Sequence, residues 1–353
     1  MAASHVFACD SLLANFPRDC AIQDRYTAVR AAYTSLNIDM NEVAEYRVLR
    51  FVDRSSWEKA KAAQTPVSQI YKPAPTTWDI WDKAIRNIFG TTSFKEVLFG
   101  DFSINVSTLK VVNKLLLTDG AKNITGSGAD KSVMPGTIRS DNHKSVAFCS
   151  DGKTDQRALI DLVNESSVRF QKKWEAAMGL SLLAIVQKQF PDVKMVDTPA
   201  FDSQLSLGSA VCDKFNAKKE QVNYLPSGAV EENLRWFVAF TTANLQRFKE
   251  KNPALSPIEF ATFAQKWLVS IHPFSDGNGR TTRAVQDAIL ANFDMPFAPA
   301  GDLQNDVTTD FETYLEMTYQ KMEAMLSVLE NCATKRAAGA VISYQCRTIS
   351  EIF

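Results

Sequence analysis

His272-Pro273-Phe274-Ser275-Asp276-Gly277-Asn278-Gly279-Arg280-Thr281-Thr282-Arg283 gathers a proton acceptor, a carboxylate, two glycines, an amide and two arginines. Just upstream, Ser256-Pro257-Ile258-Glu259 reads as a helix start: a capping serine, a proline suited to the first helical position and a glutamate able to close a capping box. Phe260, Phe263, Ala264, Trp267, Leu268 and Ile271 then recur at helical spacing, giving a buried face that leads straight to His272. Phe274 is expected to point back into that core. Asp276-Gly277 and Asn278-Gly279 are turn dipeptides, so a tight loop follows. A second helix should run from about Arg280 and stop before Pro296.

This helix–loop–helix has the chemistry of a phosphate site. A helix N-terminus presents free N–H groups and a positive dipole end to an anion. Gly277 and Gly279 allow close backbone approach. Arg280 and Arg283, three apart, share a face, and two cations at a helix start call for a compensating anion. Asp276 offers the hard oxygen that Mg²⁺ takes alongside phosphate oxygens. His272 has the side chain best suited to take a proton near neutrality.

Working outward, residues 1–68 read as helical. Lys72-Pro73-Ala74-Pro75 is the clearest linker signal, before a helix carrying Trp78, Trp81, Ile85 and Ile88. Ser103–Leu117 reads as a helix with Leu109, Val112 and Leu116 inward, and 118–136 as a loop. One long helix is expected from Asp155 to Phe190, with Leu159, Leu162, Val163, Phe170, Trp174, Met178, Leu182 and Ile185 on its apolar face. Helix resumes at 230–250. A last one starts near Thr308, where Phe311, Leu315, Met322, Met325 and Leu329 suit a core face better than a partner seam. Strand-like runs are few: Val146-Ala147-Phe148 and Gln221-Val222-Asn223-Tyr224-Leu225. The fold class is therefore mostly α.

The chain has 353 residues, with 39 basic against 40 acidic side chains, a balance that gives no reason to expect nucleic acid or an anionic membrane as partner. No apolar run is long enough to span a bilayer, and the N-terminus lacks the basic start of a secretory signal peptide. Cys9, Cys20, Cys149, Cys212, Cys332 and Cys346 lack metal-ligand spacing and read as free thiols in a reducing compartment, with a Cys9–Cys20 bridge the alternative.

The stretch 272–283 resembles the signature of the Fic family, His-Pro-Phe-x-Asp/Glu-Gly-Asn-Gly-Arg-x-x-Arg, at every constrained position. Met134-Pro135-Gly136-Thr137-Ile138-Arg139 is similar to that family's Pro-Gly-x-x-Arg segment, which precedes a β-hairpin flap. Asn223-Tyr224-Leu225-Pro226 resembles the flap itself, which docks the target by strand addition; 143–149 is a second candidate. The resemblance spans about residues 103–329. It implies a Fic-type helical bundle with a small β-hairpin flap, plus an N-terminal helical region (1–75) for delivery or target recognition. The catalytic domain would occupy 76–331, with a helical insertion at about 150–220, and a C-terminal tail 332–353.

The resemblance further implies transfer of AMP from ATP, with Mg²⁺ or Mn²⁺, to a Ser, Thr or Tyr hydroxyl of a protein. His272 would be general base and Asp276 the metal ligand. Gly277, Asn278 and Gly279 would cradle the phosphates, Asn278 at the α-phosphate. Arg280, also catalytic, and Arg283 would hold the β and γ phosphates. Transfer of UMP or phosphocholine by the same residues, or a non-catalytic nucleotide- or protein-binding module, are the alternatives. Family members often carry an inhibitory Ser/Thr-x-x-x-Glu-Gly/Asn helix. Glu232-Asn233 has Gly228 at the required place and Glu330-Asn331 has Leu326, so neither fits. Open space is therefore expected around Arg283. An unrestrained modifier of that kind suggests a toxin or effector acting in the cytosol, exported without a classical signal peptide or held by a separate antitoxin chain.

Overall fold

The computed structural model describes residues 11–40, 104–118, 135–140, 144–149, 156–193, 206–212, 217–299 and 303–339. The linker at 72–75 and the helix around Trp78 and Trp81 lie outside the described residues. Among the described residues the elements are α1 (Pro17–Ser35), α2 (Val106–Thr118), β1 (Lys144–Cys149), α3 (Gln156–Met178), α4 (Leu182–Gln189), β2 (Ser206–Cys212), β3 (Ala217–Asn223), α5 (Val230–Lys249), α6 (Pro257–Ile271), α7 (Asn278–Asn292), α8 (Leu303–Thr308) and α9 (Phe311–Ala337). The molecule is mostly α. No helix among the described residues is long and apolar enough to cross a membrane.

α6 is the axis of the bundle. Its sequence is apolar on nearly every side, as befits a helix with neighbours all round, and only Glu259 escapes burial. An aromatic cluster fixes those neighbours. Phe170 of α3 stacks on Phe263 at 4.0 Å, Phe263 meets Phe311 of α9 edge-on at 5.0 Å, and Phe240 of α5 meets Trp267 at 5.6 Å. α7 packs back on α6, and α2 lies against α7. α1 runs along α9, with Ile22, Val29 and Tyr33 buried in the shared core. The described part of the N-terminal region is thus built into the same core as the motif helix.

Several expectations are corrected. The long helix expected over 155–190 is two helices. Gly179 takes φ +70°, and Ser181 caps α4 by accepting from the Ala184 N–H at 3.2 Å. The apolar periodicity continues across the break, which hid a glycine stop and a serine start. Leu162, placed inward by that periodicity, is 41% exposed, while Ile160 is buried. The stretch expected as a helical insertion also contains β2 and the start of β3. Within it Trp174 is fully buried, with its indole N–H donating to Asn244 Oδ1 at 3.1 Å, so α3 is core. The last helix runs to Ala337, past the 331/332 bound drawn for the C-terminal tail, with Cys332 and Ala333 buried. Cys20 and Cys332, expected as free thiols, are each disulfide-bonded. Spacing along a chain carries no information on which sulfurs meet in space.

The sheet has the order β1–β3–β2, antiparallel throughout. Asn223 at the end of β3 pairs with Lys144 on one side and Ser206 on the other. The two strand-like runs of the sequence are therefore neighbours in one sheet, although α3 and α4 separate them along the chain. The third strand, β2, is a Ser- and Gly-containing run with little strand signature.

Candidate active site

α6 ends in an unusual way. His272 is its C-cap in the left-handed region (φ 49°, ψ 59°), and its N–H returns to the Leu268 carbonyl at 3.2 Å. That conformation suits glycine or asparagine best; histidine enters it more readily than most residues, and here its surroundings hold it there. The constraints are visible. The Tyr224 ring stacks on the imidazole, 3.8 Å between centroids and 17° between planes. Phe274 is buried as expected, and its backbone bridges to Ile138. Tyr224 sits in a small apolar cluster with Ile160 and Val163 of α3, Val269 of α6 and Val307 of α8. Burial pushes its hydroxyl up to about 12, with the nearby Asp306 charge adding to the shift.

The loop after His272 is braced by its own side chains. Asn278 is buried, and its amide takes both backbone groups of Phe274: Oδ1 accepts from the N–H at 2.9 Å and Nδ2 donates to the carbonyl at 2.7 Å. The Asn278 side chain thus shapes the loop. Gly277 has φ +76°, and a Cβ there would lie 3.1 Å from Asn113 Nδ2 and 3.2 Å from a Leu117 methyl. The close approach at this Cβ position is to α2. Asn113, buried in the apolar stripe of α2, donates to the Asp276 carbonyl at 2.9 Å and to Thr281 Oγ1 at 3.2 Å. Its own Oδ1 accepts from Gly136 N–H at 2.8 Å.

Asp276 Oδ1 accepts from the Gly277 N–H at 2.6 Å and lies 3.6 Å from Arg280 Nη2, with the carboxylate about a third exposed. α7 begins at Asn278 with no side-chain cap, so its first N–H groups face the loop. Arg280 is largely buried in that first turn. Its Nη1 is buried without a hydrogen-bond partner among the described residues, and burial presses against its charge while Asp276 offsets part of the penalty. Gly279 is half-buried beside it.

Arg283 departs from the open space expected around it. Its Nη2 lies 3.5 Å from Asp306 Oδ2, a fully buried carboxylate whose Oδ1 accepts from the Tyr314 hydroxyl at 2.7 Å. Asp306 stands 23 residues after Arg283, in a helix with no sequence signal of a site. Asn113 had a faint one, an amide inside an apolar stripe. Among the described residues no group of three or more His, Cys, Asp or Glu could hold a metal alone. Asp276 is a single hard oxygen donor, which fits Mg²⁺ only if phosphate and water complete its shell.

Three comparisons bear on this arrangement. The Fic/DOC family model matches residues 201–290, which take in β2, β3, α5, α6 and most of α7. Over 42 residues the chain is 55% identical to "Protein adenylyltransferase Fic" of Nematostella vectensis, covering 12% of this chain and 10% of that protein. Over 114 residues it is 30% identical to "Uridine 5'-monophosphate transferase" of Xanthomonas campestris pv. campestris (strain 8004), covering 32% of this chain and 21% of that one. The chain thus spans a tenth to a fifth of the length of these relatives. A solved Fic domain containing signaling protein from Bacteroides thetaiotaomicron VPI-5482 aligns over 93% of this chain and 99% of its own, at 11% identity and a TM-score of 0.47. The 272–283 stretch lies within the matched region, near its end, so residues 201–290 of this chain are similar to the Fic/DOC family.

Proposed function

We propose that this chain is a protein nucleotidyltransferase that moves AMP from ATP to a Ser, Thr or Tyr hydroxyl of a target protein. The observation that carries the reading is the buried Arg280 Nη1, without a hydrogen-bond partner among the described residues, in an uncapped helix turn beside Asp276. A guanidinium is costly to bury unsatisfied, and phosphate oxygens are the acceptors that its fork fits. The backbone N–H groups of Asn278, Gly279 and Arg280 supply the rest of the cradle.

His272 accepts the target hydroxyl proton, the oxygen attacks the α-phosphorus, and pyrophosphate leaves with its charge on Arg280 and Arg283. Mg²⁺, carried by Asp276 together with the phosphates, would supply charge neutralisation on the leaving group. Arg283 meets its phosphate in competition with Asp306. Tyr224 covers one face of the imidazole, and β3, which leads into it, is the central strand of its sheet, so a target segment would enter along an outer strand, β1 or β2. Positioning and electrostatics would supply most of the rate.

A second donor stays in view because the longer of the two relatives' matches is to a uridine 5'-monophosphate transferase. Purified chain, cell lysate, Mg²⁺ and labelled ATP or UTP decide between them. The expected result is a protein adduct with the mass of AMP, absent with His272→Ala. An adduct of UMP would select the second donor. No adduct from either nucleotide, or one made equally well by His272→Ala, would sink the reading.

A further inference from the structure

Arg139 is 2% exposed, a rare state for an arginine. It donates to four main-chain carbonyls drawn from two distant parts of the chain. Its backbone N–H reaches the Pro273 carbonyl at 3.0 Å. Its Nε reaches the His272 carbonyl at 2.6 Å, and its Nη2 reaches the Ile271 carbonyl at 3.4 Å and the Leu225 carbonyl. Ile271 and His272 end α6, where helix carbonyls lack helical partners and the dipole favours a cation. Leu225 directly follows Tyr224, the residue stacked on the imidazole.

We propose that Arg139 is the positioning residue for His272: it caps the motif helix and ties that cap to the segment carrying Tyr224, so that one side chain sets both members of the stacked pair. This rests on the reading of His272 as the proton acceptor, while its structural half stands without it. Arg139 touches no reacting atom. The argument depends on fork geometry. A guanidinium can span the His272 and Leu225 carbonyls at once, whereas an ammonium on a flexible stem donates from one point. Arg139 makes none of these bonds to residues 276–283, so the phosphate cradle should be indifferent to it. What should suffer is the alignment of the base, where a displacement of about 1 Å can cost about 10²-fold in rate.

The test has three arms. In the unaltered chain, NMR should show the Arg139 Nε–H protected from solvent exchange, with NOEs to His272 and Leu225 protons. Exchange at the rate of a free arginine would overturn the proposal, whether or not any variant folds. In Arg139→Lys, the His272 ring protons should lose the ring-current shift imposed by Tyr224. The chain has only two other histidines, His5 and His143, to serve as references. Ring resonances unchanged in a folded variant would overturn it. Third, Arg139→Lys should bind Mg·ATP within about twofold of the unaltered chain and lose about 10- to 100-fold in transfer. Full transfer, or a parallel loss of ATP binding, would count against a positioning role. If the unaltered chain transfers neither AMP nor UMP, the proposed reaction fails, while the two NMR readouts still decide the role of Arg139.

Discussion

The two ends of α6 are finished in opposite ways. At the start, Ser256 Oγ accepts from the Glu259 N–H at 3.0 Å, and the carboxylate of Asp19 reaches in from α1 to accept from the Ile258 N–H at 2.9 Å. The Tyr319 hydroxyl of α9 donates to the other oxygen of Asp19 and lies 3.2 Å from Ser256 Oγ. At the far end, a guanidinium takes the carbonyls and His272 bends the chain into the left-handed region. Anion at the start and cation at the end is the arrangement the helix dipole favours. The ends differ in what they protect. The first joins three helices and serves the fold; the second holds a histidine in a costly conformation and serves the site. Changes at the first end should move stability and leave chemistry alone, and changes at the second should do the reverse.

The largest effect belongs to the second end. His272→Ala should lower transfer by about 10²–10⁴, the usual loss for a general base. Its melting temperature and its affinity for Mg·ATP should stay near those of the unaltered chain. Calorimetry of ATP binding beside the transfer assay checks this; weakened ATP binding would place the imidazole in the nucleotide pocket instead. At the first end, Asp19→Ala should cost about 2 kcal/mol of folding free energy, the upper range for a lost helix cap with a buried donor left behind. Chemical denaturation measures it. If Mg·ATP affinity fell along with stability, the two ends would be coupled, and the division argued above would not hold.

These two ends also divide what a sequence can tell. Ser256, Pro257 and Glu259 are a local code, so the start of α6 was legible to the residue, and so was the arrival of the apolar stripe at His272. Asp19 lies 239 residues from Ile258, whose N–H donates to it, and Arg139 lies 133 from His272, so no local pattern could connect them. The same limit explains Asp306, a lone acid in an unremarkable segment, whose pairing with Arg283 displaced the expected open space. It also explains the sheet, where β1 and β3 were seen as runs but not as partners. At Gly277 the structure adds a packing reason for glycine that the sequence does not display: a Cβ there would meet Asn113 and Leu117 of α2. The break at Gly179–Ser181 was present in the sequence and lost to periodicity. The roles of His272, Asp276, Arg280 and Arg283 rest on family pattern and chemistry.

Gly277 gives an intermediate case, since it belongs to the functional end but is required by packing. Gly277→Ala should cost about 1–2 kcal/mol for an L side chain at φ +76°. The 3.1 Å approach to Asn113 adds strain. Because Asn113 also holds the Asp276 carbonyl, the loop should loosen, and Mg·ATP binding should weaken with stability. Titration calorimetry and a denaturation curve on the same sample check both; a loss of stability with ATP affinity intact would show that the loop tolerates the shift.

The smallest effect lies between the ends. Lys266, in the middle of α6, is buried, with Nζ donating to the Asp306 carbonyl at 3.0 Å and lying 5.3 Å from the centre of the Tyr314 ring. Burial presses its ammonium down to about 8, against the opposing pull of Asp306 and Asp310. An unfolded lysine titrates near 10.4. Between those values the unfolded chain holds the proton more tightly than the folded one, so stability rises with pH in that window. The Lys266 contribution should amount to a gain of about 1 kcal/mol between pH 8 and 9. Above about pH 10 the trend should reverse, because Tyr224 and Tyr314 have hydroxyls raised by burial and favour the fold only while the unfolded tyrosine stays neutral. Lys266→Met keeps much of the stem's volume and removes the titration. Its stability, subtracted from that of the unaltered chain at each pH, should flatten the rise between pH 8 and 9. An identical pH profile for the two proteins would mean that the buried ammonium keeps its proton throughout, and that Asp306 compensates its charge more fully than this geometry implies.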